Sequence, residues 1–313
     1  MMNHATPHRR FVRLTLAAAA AALATAAGCM EHVGPAVPSS SLFAAQSVDV
    51  RDDRAAIPFT MHDGVPVVTV RYAEPRVTAV LATGDPAGHF PMGTASLLDL
   101  SPADVAHPVY LPPANGELHR SAGLMHADAF TFSGVTFHDF DVAAEWDAVP
   151  EVATAAYPTA PPRAHGVLGG QMFRNVLLTV DYPNALLWVE HGQLPPVDGI
   201  EVLPLVTSAH GHPLIDVHVG PTHYWAKLDT GCPDALRVPT AMASQFAGPV
   251  QLEAGHNVLA CGTAVAGPDG LITIGSGSLR DFAVTFDMAH GRVRLHRRID
   301  ATASIADDDS MDN

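Results

Sequence analysis

Basic side chains are scarce in this sequence. Lys and Arg number 17 against 32 Asp and Glu, a formal net charge of −15. That balance leaves no basic stripe for a phosphate backbone, so no nucleic-acid partner is expected. Nucleophile and phosphate motifs are missing too. Gly275-Ser276-Gly277-Ser278 has neither the Gly-x-Ser-x-Gly spacing of a nucleophile elbow nor the Lys of a phosphate loop. Histidine is plentiful at 18, yet the closest cluster, His210-Gly211-His212 with His218, has no Glu-bearing helix motif beside it. These histidines read as turn and surface residues, and neither a metal nor another cofactor is expected. Helical signals are few: Ala95 to Leu100 and Thr240 to Phe246 each follow a Pro-containing turn and are expected to form short helices.

Cysteine is limited to Cys29, Cys232 and Cys261, and the first stands in an export signal. Arg9, Arg10 and Arg13 precede an apolar run, Leu14 to Ala27, that is too short for a comfortable membrane span. Ala26-Ala27-Gly28-Cys29 resembles a bacterial lipobox, whose Cys carries lipid and becomes the mature N-terminus. Ala24-Thr25-Ala26 is a competing site for ordinary cleavage. An exported protein is expected, periplasmic or held at the outer membrane of a bacterium through a lipid on Cys29. In an oxidising compartment the remaining pair, Cys232 and Cys261, is expected to form a disulfide rather than a catalytic thiol. The expected organisation is a signal over 1–29, a flexible tether over 30–55 and an N-terminal lobe over 56–190. A linker over 191–199, a C-terminal lobe over 200–298 and an acidic tail over 299–313 follow.

The body reads as β. Val65 to Tyr72, Phe130 to Phe140, Val176 to Tyr182 and Leu186 to Val189 are β-branched or aromatic runs, punctuated by turns such as Asp63-Gly64 and Ser133-Gly134. Within it lies Asp229-Thr230-Gly231, a carboxylate on a tight turn at the end of a strand-like run. A shift of 147 residues lays Pro66–Pro86 on Pro213–Pro233 without a gap. It matches Leu81 with Leu228, Thr83 with Thr230 and Gly84 with Gly231, but sets Ala82 against Asp229. A shift of 106 lays Gly166-Val167-Leu168-Gly169 on Ile272-Thr273-Ile274-Gly275 by their terminal Gly169 and Gly275 and pairs Thr179 with Thr285 and Asp181 with Asp287. The chain is a duplication, and one half has lost its carboxylate.

Asp-Thr-Gly, then apolar-apolar-Gly, then a strand ending in Asp resembles the retropepsin-like aspartic peptidases, in a duplicated single-chain form with an exported bacterial character. The resemblance covers about 57–297. It implies an all-β, two-lobed pepsin/retropepsin-like acid-protease fold with pseudo-two-fold internal duplication, and an inter-lobe cleft for an extended peptide or protein segment. In such a site two carboxylates about 3 Å apart share one proton, one activating a water and the other assisting the scissile carbonyl. The resemblance makes Asp229 the acid of the second half and Ala82 the degenerate position of the first. Thr83 and Thr230 would lock the turns across the lobes. Gly84 and Gly231 would let backbone pass close to the acids, and Gly169 and Gly275 would lie in each lobe's core. Losing one member of the pair predicts impaired or absent proteolysis and leaves a peptide-binding pseudopeptidase. The alternative is an active endopeptidase in which Asp85, after Gly84, reaches Asp229 from a displaced position. A flap is expected over Leu118 to Phe132, with Gly123 near its tip.

Overall fold

The computed structural model describes residues 43–71, 73–103, 109–111, 120–145, 164–197, 199–268 and 270–297. Contacts divide the chain into 1–37 and 38–313, and every described residue belongs to the second unit. The expected signal with Cys29, the acidic tail and the first part of the tether lie outside the described residues. The tether is shorter than 30–55 implies. Ser47–Val50 is a strand paired antiparallel with Val135–Glu145. Its alternation of polar and apolar residues lets Val48 join the core.

Local chemistry makes the hairpins. Arg54–His62 and Val65–Arg71 pair with His62 opposite Val65. The two residues between them, Asp63 and Gly64, both have positive φ, at 46° and 85°. That is the twist a two-residue hairpin needs, and Asp-Gly adopts it at low cost. Ser133-Gly134 does the same between Arg120–Phe132 and Val135–Glu145, at 49° and 84°. One of the two short helices falls earlier than expected, at Met92–Leu97, because the extended Pro91 sets its start. The other is a 3-10 segment over Thr240–Phe246.

The fold is all-β and two-lobed, with a pseudo-two-fold internal duplication visible in strand register. In the first lobe Val77–Ala82 runs parallel to Val167–Gly169, with Val80 on Val167, Leu81 on Leu168 and Ala82 on Gly169. In the second, Thr222–Asp229 runs parallel to Ile272–Gly275, with Lys227 on Thr273, Leu228 on Ile274 and Asp229 on Gly275. Both pairings follow from the repeat offsets of 147 and 106 in the sequence.

The lobes share a sheet. Leu177–Asp181 of the first pairs antiparallel with Phe282–Asp287 of the second, and that contact is part of a 15-stranded sheet. Thr179 and Thr285, repeat partners in the sequence, face each other there with hydroxyl oxygens 2.9 Å apart. An 8-stranded sheet completes the second lobe. Phe137, Phe173, Phe282 and Phe286 are among the largest fully buried side chains of the core.

Candidate functional site

The two repeated turns meet where the lobes join, and their backbones are closed alike. Asp85 N–H donates to Ala82 O at 3.1 Å, and Cys232 N–H to Asp229 O at 3.2 Å. Beneath them, Gly170 N–H donates to Asp85 O at 2.7 Å and Ser276 N–H to Cys232 O at 2.8 Å. Gly169 and Gly275 leave no room for a side chain: a Cβ on either would stand 2.3 Å or less from backbone of the overlying turn. The residues expected to lock the lobes do come together. Thr83 N–H donates to Thr230 Oγ1 at 3.0 Å and Thr230 N–H to Thr83 Oγ1 at 3.2 Å. The hydroxyls then donate across to Leu228 O at 3.1 Å and Leu81 O at 2.7 Å. All four bonds are buried, so each satisfies a group that would otherwise be costly to bury.

Ala82 opposes Asp229 in this arrangement, fully buried in a small apolar cluster with Val65, Val67, Val80, Ala164 and Val167. Among the described residues, the buried cluster around it is wholly apolar. Asp229 finds its charge partner on its own strand instead. Lys227 Nζ lies 3.3 Å from Asp229 Oδ2, with side-chain exposures of 11% and 7%. Asp229 Oδ1 accepts Gly231 N–H at 2.9 Å. Gly84 closes the carboxylate's other face, since a Cβ there would stand 2.3 Å from Asp229 Cγ. The retained acid is therefore paired with an ammonium and covered by the opposite turn.

Lys227 and His212 are the contributors the sequence reading missed. Strand residues i and i+2 share a face, so a Lys two places before the Asp of this turn, where the first half has Val80, was the available signal. His212 comes from a turn closed by Gly211 N–H to Ser208 O at 2.9 Å and by His212 N–H to Ser208 Oγ at 3.1 Å. Its Nδ1 is 2.7 Å from Gly84 O. A carbonyl only accepts, so Nδ1 carries the proton. Burial and the Lys227 ammonium lower the His212 pKa below its ordinary value, against the opposing pull of the Gly84 carbonyl, Asp85 and Asp229. Gln171 braces the same turn by donating to Gly211 O at 2.8 Å. Tyr182 OH and Ser276 Oγ are 2.8 Å apart, and Ser276 Oγ donates to Thr230 O at 2.6 Å. Burial raises the Tyr182 pKa, aided by the Asp229 carboxylate.

Asp85, expected as a displaced second acid, is engaged by residues of its own turn. Its Oδ1 accepts Ala87 N–H at 3.1 Å and its Oδ2 lies 2.6 Å from His89 Nε2. Burial raises its pKa, but His89, the Ala87 N–H and His212 outweigh that and hold it below the ordinary carboxylate value. The expected disulfide is corrected: Cys232 and Cys261 are both free and buried. Cys261 Sγ receives the Ser278 hydroxyl at 3.2 Å, while Cys232 Sγ is directed at Asp234. Burial, with Asp229 beside it, pushes the Cys232 thiol up to about 12, so it is no thiolate nucleophile. The flap expectation is corrected as well. Gly123 lies within the Arg120–Phe132 strand, opposite Ala144, and Val109–Leu111 pairs with that strand's start. The connection between those two strands, 112–119, lies outside the described residues.

No family model matches the chain, and no curated protein matches it significantly. Among solved structures it is similar to basic 7S globulin from soybean, with 12% identity over 78% of this chain and 94% of that one, at a TM-score of 0.49. It is also similar to conglutin gamma, a basic 7S globulin from lupine seeds, with 12% identity over 79% of this chain and 95% of that one, again at 0.49. These are seed globulins, so the expectation of a retropepsin-like peptidase family is corrected. The two-lobed, pepsin-like architecture is defined by the register and the interlocked turns described above.

Proposed function

We propose that this protein is a non-hydrolytic member of the pepsin-like fold, which holds an extended peptide or protein segment between its lobes without cutting it. The observation that carries this reading is the Lys227–Asp229 ion pair at 3.3 Å, set opposite Ala82. Acid–base hydrolysis of this kind needs two carboxylates sharing a proton. Here the second carboxylate is a methyl group, and the position two residues before the first is an ammonium. Proton transfer by a positioned group is worth roughly 10²–10⁴ in rate, and both ends of that transfer are disabled. The scaffold around the site is intact, which supports a retained binding role. Export, with lipid on Cys29 as a membrane attachment, belongs to this reading as its site of action.

The test is a mixed peptide library between pH 3 and 7. The chain itself is expected to retain peptides on a column and cleave none. Ala82→Asp is also expected to be silent, because Lys227 would stand between two carboxylates. Ala82→Asp with Lys227→Val restores both the acid and the Val found in the other half, and is the variant expected to cleave. Cleavage by the unaltered chain that Asp229→Asn abolishes would overturn the proposal in favour of an active endopeptidase. Failure to retain any peptide would remove the binding role.

A further inference from the structure

The hairpin that leads to Asp229 carries a second constellation on its outer face. Pro213–Val219 and Thr222–Asp229 pair antiparallel, with Asp216 opposite Trp225 and His218 opposite His223. Residues directly opposite in such a pair project to the same side, as do residues two apart on one strand. Asp216, His218, His223 and Trp225 thus share one face, and Ile215 and Val217 between them are buried on the other. The two imidazoles converge, with ring centroids 3.8 Å apart. Both point at one carboxylate oxygen: His223 Nδ1 is 3.2 Å and His218 Nε2 is 3.8 Å from Asp216 Oδ2. One donor atom from each of the three residues lies within 4.8 Å of the other two.

We propose that Asp216, His218 and His223 form a binding site for a divalent transition-metal ion, with zinc as the reference case. Two imidazole nitrogens and a carboxylate oxygen form a donor set that suits zinc. Metal–donor bonds of about 2.0–2.1 Å in a tetrahedron put neighbouring donors about 3.3 Å apart. The hairpin already holds the two His–Asp216 separations at 3.2 and 3.8 Å, near that spacing, and the third pair of donors within 4.8 Å, a gap that side-chain adjustment closes. Surface His–Asp contacts occur without metal, but here two histidines occupy a directly opposed pair, and one carboxylate oxygen serves both. Glu253, which pairs with His218 from the neighbouring strand Pro249–Ala254, is exposed beside them and offers a fourth ligand. The site is separate from the buried centre: six strand steps, about 20 Å, take the chain from His223 to Asp229.

Untagged full chain, stripped with chelator, is titrated with zinc by calorimetry, and Trp fluorescence is followed as copper(II) is added. One zinc per chain is expected, with a rise in melting temperature because the ion binds the folded hairpin. Copper is expected to quench fluorescence that Trp225→Phe removes. His223→Ala and His218→Ala should each weaken zinc by about tenfold or more, since even outer-shell changes cost 10–100-fold. His126→Ala, at a different His–Asp cluster, should leave it unchanged. All three histidines are on exposed or half-buried strand faces, and circular dichroism of the metal-free variants checks that they fold. Zinc binding by the His218→Ala/His223→Ala protein equal to that of the unaltered chain overturns the proposal. So does the absence of stoichiometric zinc binding by the unaltered chain.

Discussion

A lysine ammonium taken out of water must be met by an opposite charge, and Asp229 is what meets Lys227. Removing either partner takes from the other a buried opposite charge 3.3 Å away. Lys227→Met is therefore expected to lower stability by about 3–5 kcal/mol, the usual cost of breaking a buried pair. Lys227→Met with Asp229→Asn should recover most of that loss, read from urea midpoints. Additive losses would mean that the pair contributes nothing as a pair. His212 adds a pH dependence whose sign is fixed by its lowered pKa. Below the ordinary value of about 6.5, the unfolded chain binds a proton that the buried imidazole refuses. Stability falls as pH drops through that window until the folded-state pKa is passed. Lys227, Asp85, Asp229 and the Gly84 carbonyl are the groups that surround it electrostatically. His212→Asn keeps a donor for Gly84 O and removes the titration, so the stability lost between pH 7.5 and 5.5 should shrink. An unchanged slope would place the titration elsewhere. Ala82 was legible from one sequence because the repeat exposes it by alignment. The charge pairing was not, because it depends on how deeply the opposite turn covers a strand face that is exposed at Trp225.

The interlocked turns are the element on which the lobes' alignment rests. Thr83→Val preserves shape but strips a donor from Leu228 O and an acceptor from Thr230 N–H. Each orphaned buried group costs about 1–3 kcal/mol, so a clear drop in the urea midpoint is expected, while Thr83→Ser should stay close to the unaltered protein. Thr230→Val should behave alike by symmetry. The double variant should lose less than the sum, because the two hydroxyls serve one network. Strict additivity would show that the turns act independently. This element was readable beforehand because both halves keep the same spacing of Thr, Gly and Pro, and the Asp-Gly and Ser-Gly hairpins because their turn chemistry is local. The flap was misplaced because the partner of Arg120–Phe132 at its start is Val109–Leu111, a pairing that no local signal reports. The thiols were misassigned for a similar reason. Cysteine count and compartment speak for a disulfide, whereas the hydroxyl of Ser278 and the carboxylate of Asp234 decide where each sulfur points.

At the scale of the molecule, strands of the second lobe belong to the first lobe's sheet. Phe282–Asp287 pairs with Leu177–Asp181, Arg292–Arg297 with Phe282–Asp287, and Leu203–Pro204 with Arg292–Arg297. The four cross-lobe bonds made by Thr83 and Thr230 tie the lobes at a second place. A lobe that unfolded alone would expose the edge of a continuous sheet and orphan buried polar groups in its neighbour. The two lobes should accordingly unfold as one cooperative unit, although the duplication invites the opposite expectation of two independent modules. Two of the three tryptophans report on the two ends, and Trp146→Phe removes the third. Trp188 sits on the shared sheet beneath the Arg54 guanidinium, 3.8 Å from its ring centroid, and Trp225 lies on the second lobe's hairpin. Urea unfolding followed by fluorescence in Trp146→Phe/Trp225→Phe and Trp146→Phe/Trp188→Phe variants, each set against its own far-UV circular dichroism, should give coincident midpoints within each protein. A Trp225 transition that precedes the loss of β-structure would show that the second lobe opens separately. The shared sheet and the interlocked turns would then be too weak to hold the buried ion pair in register.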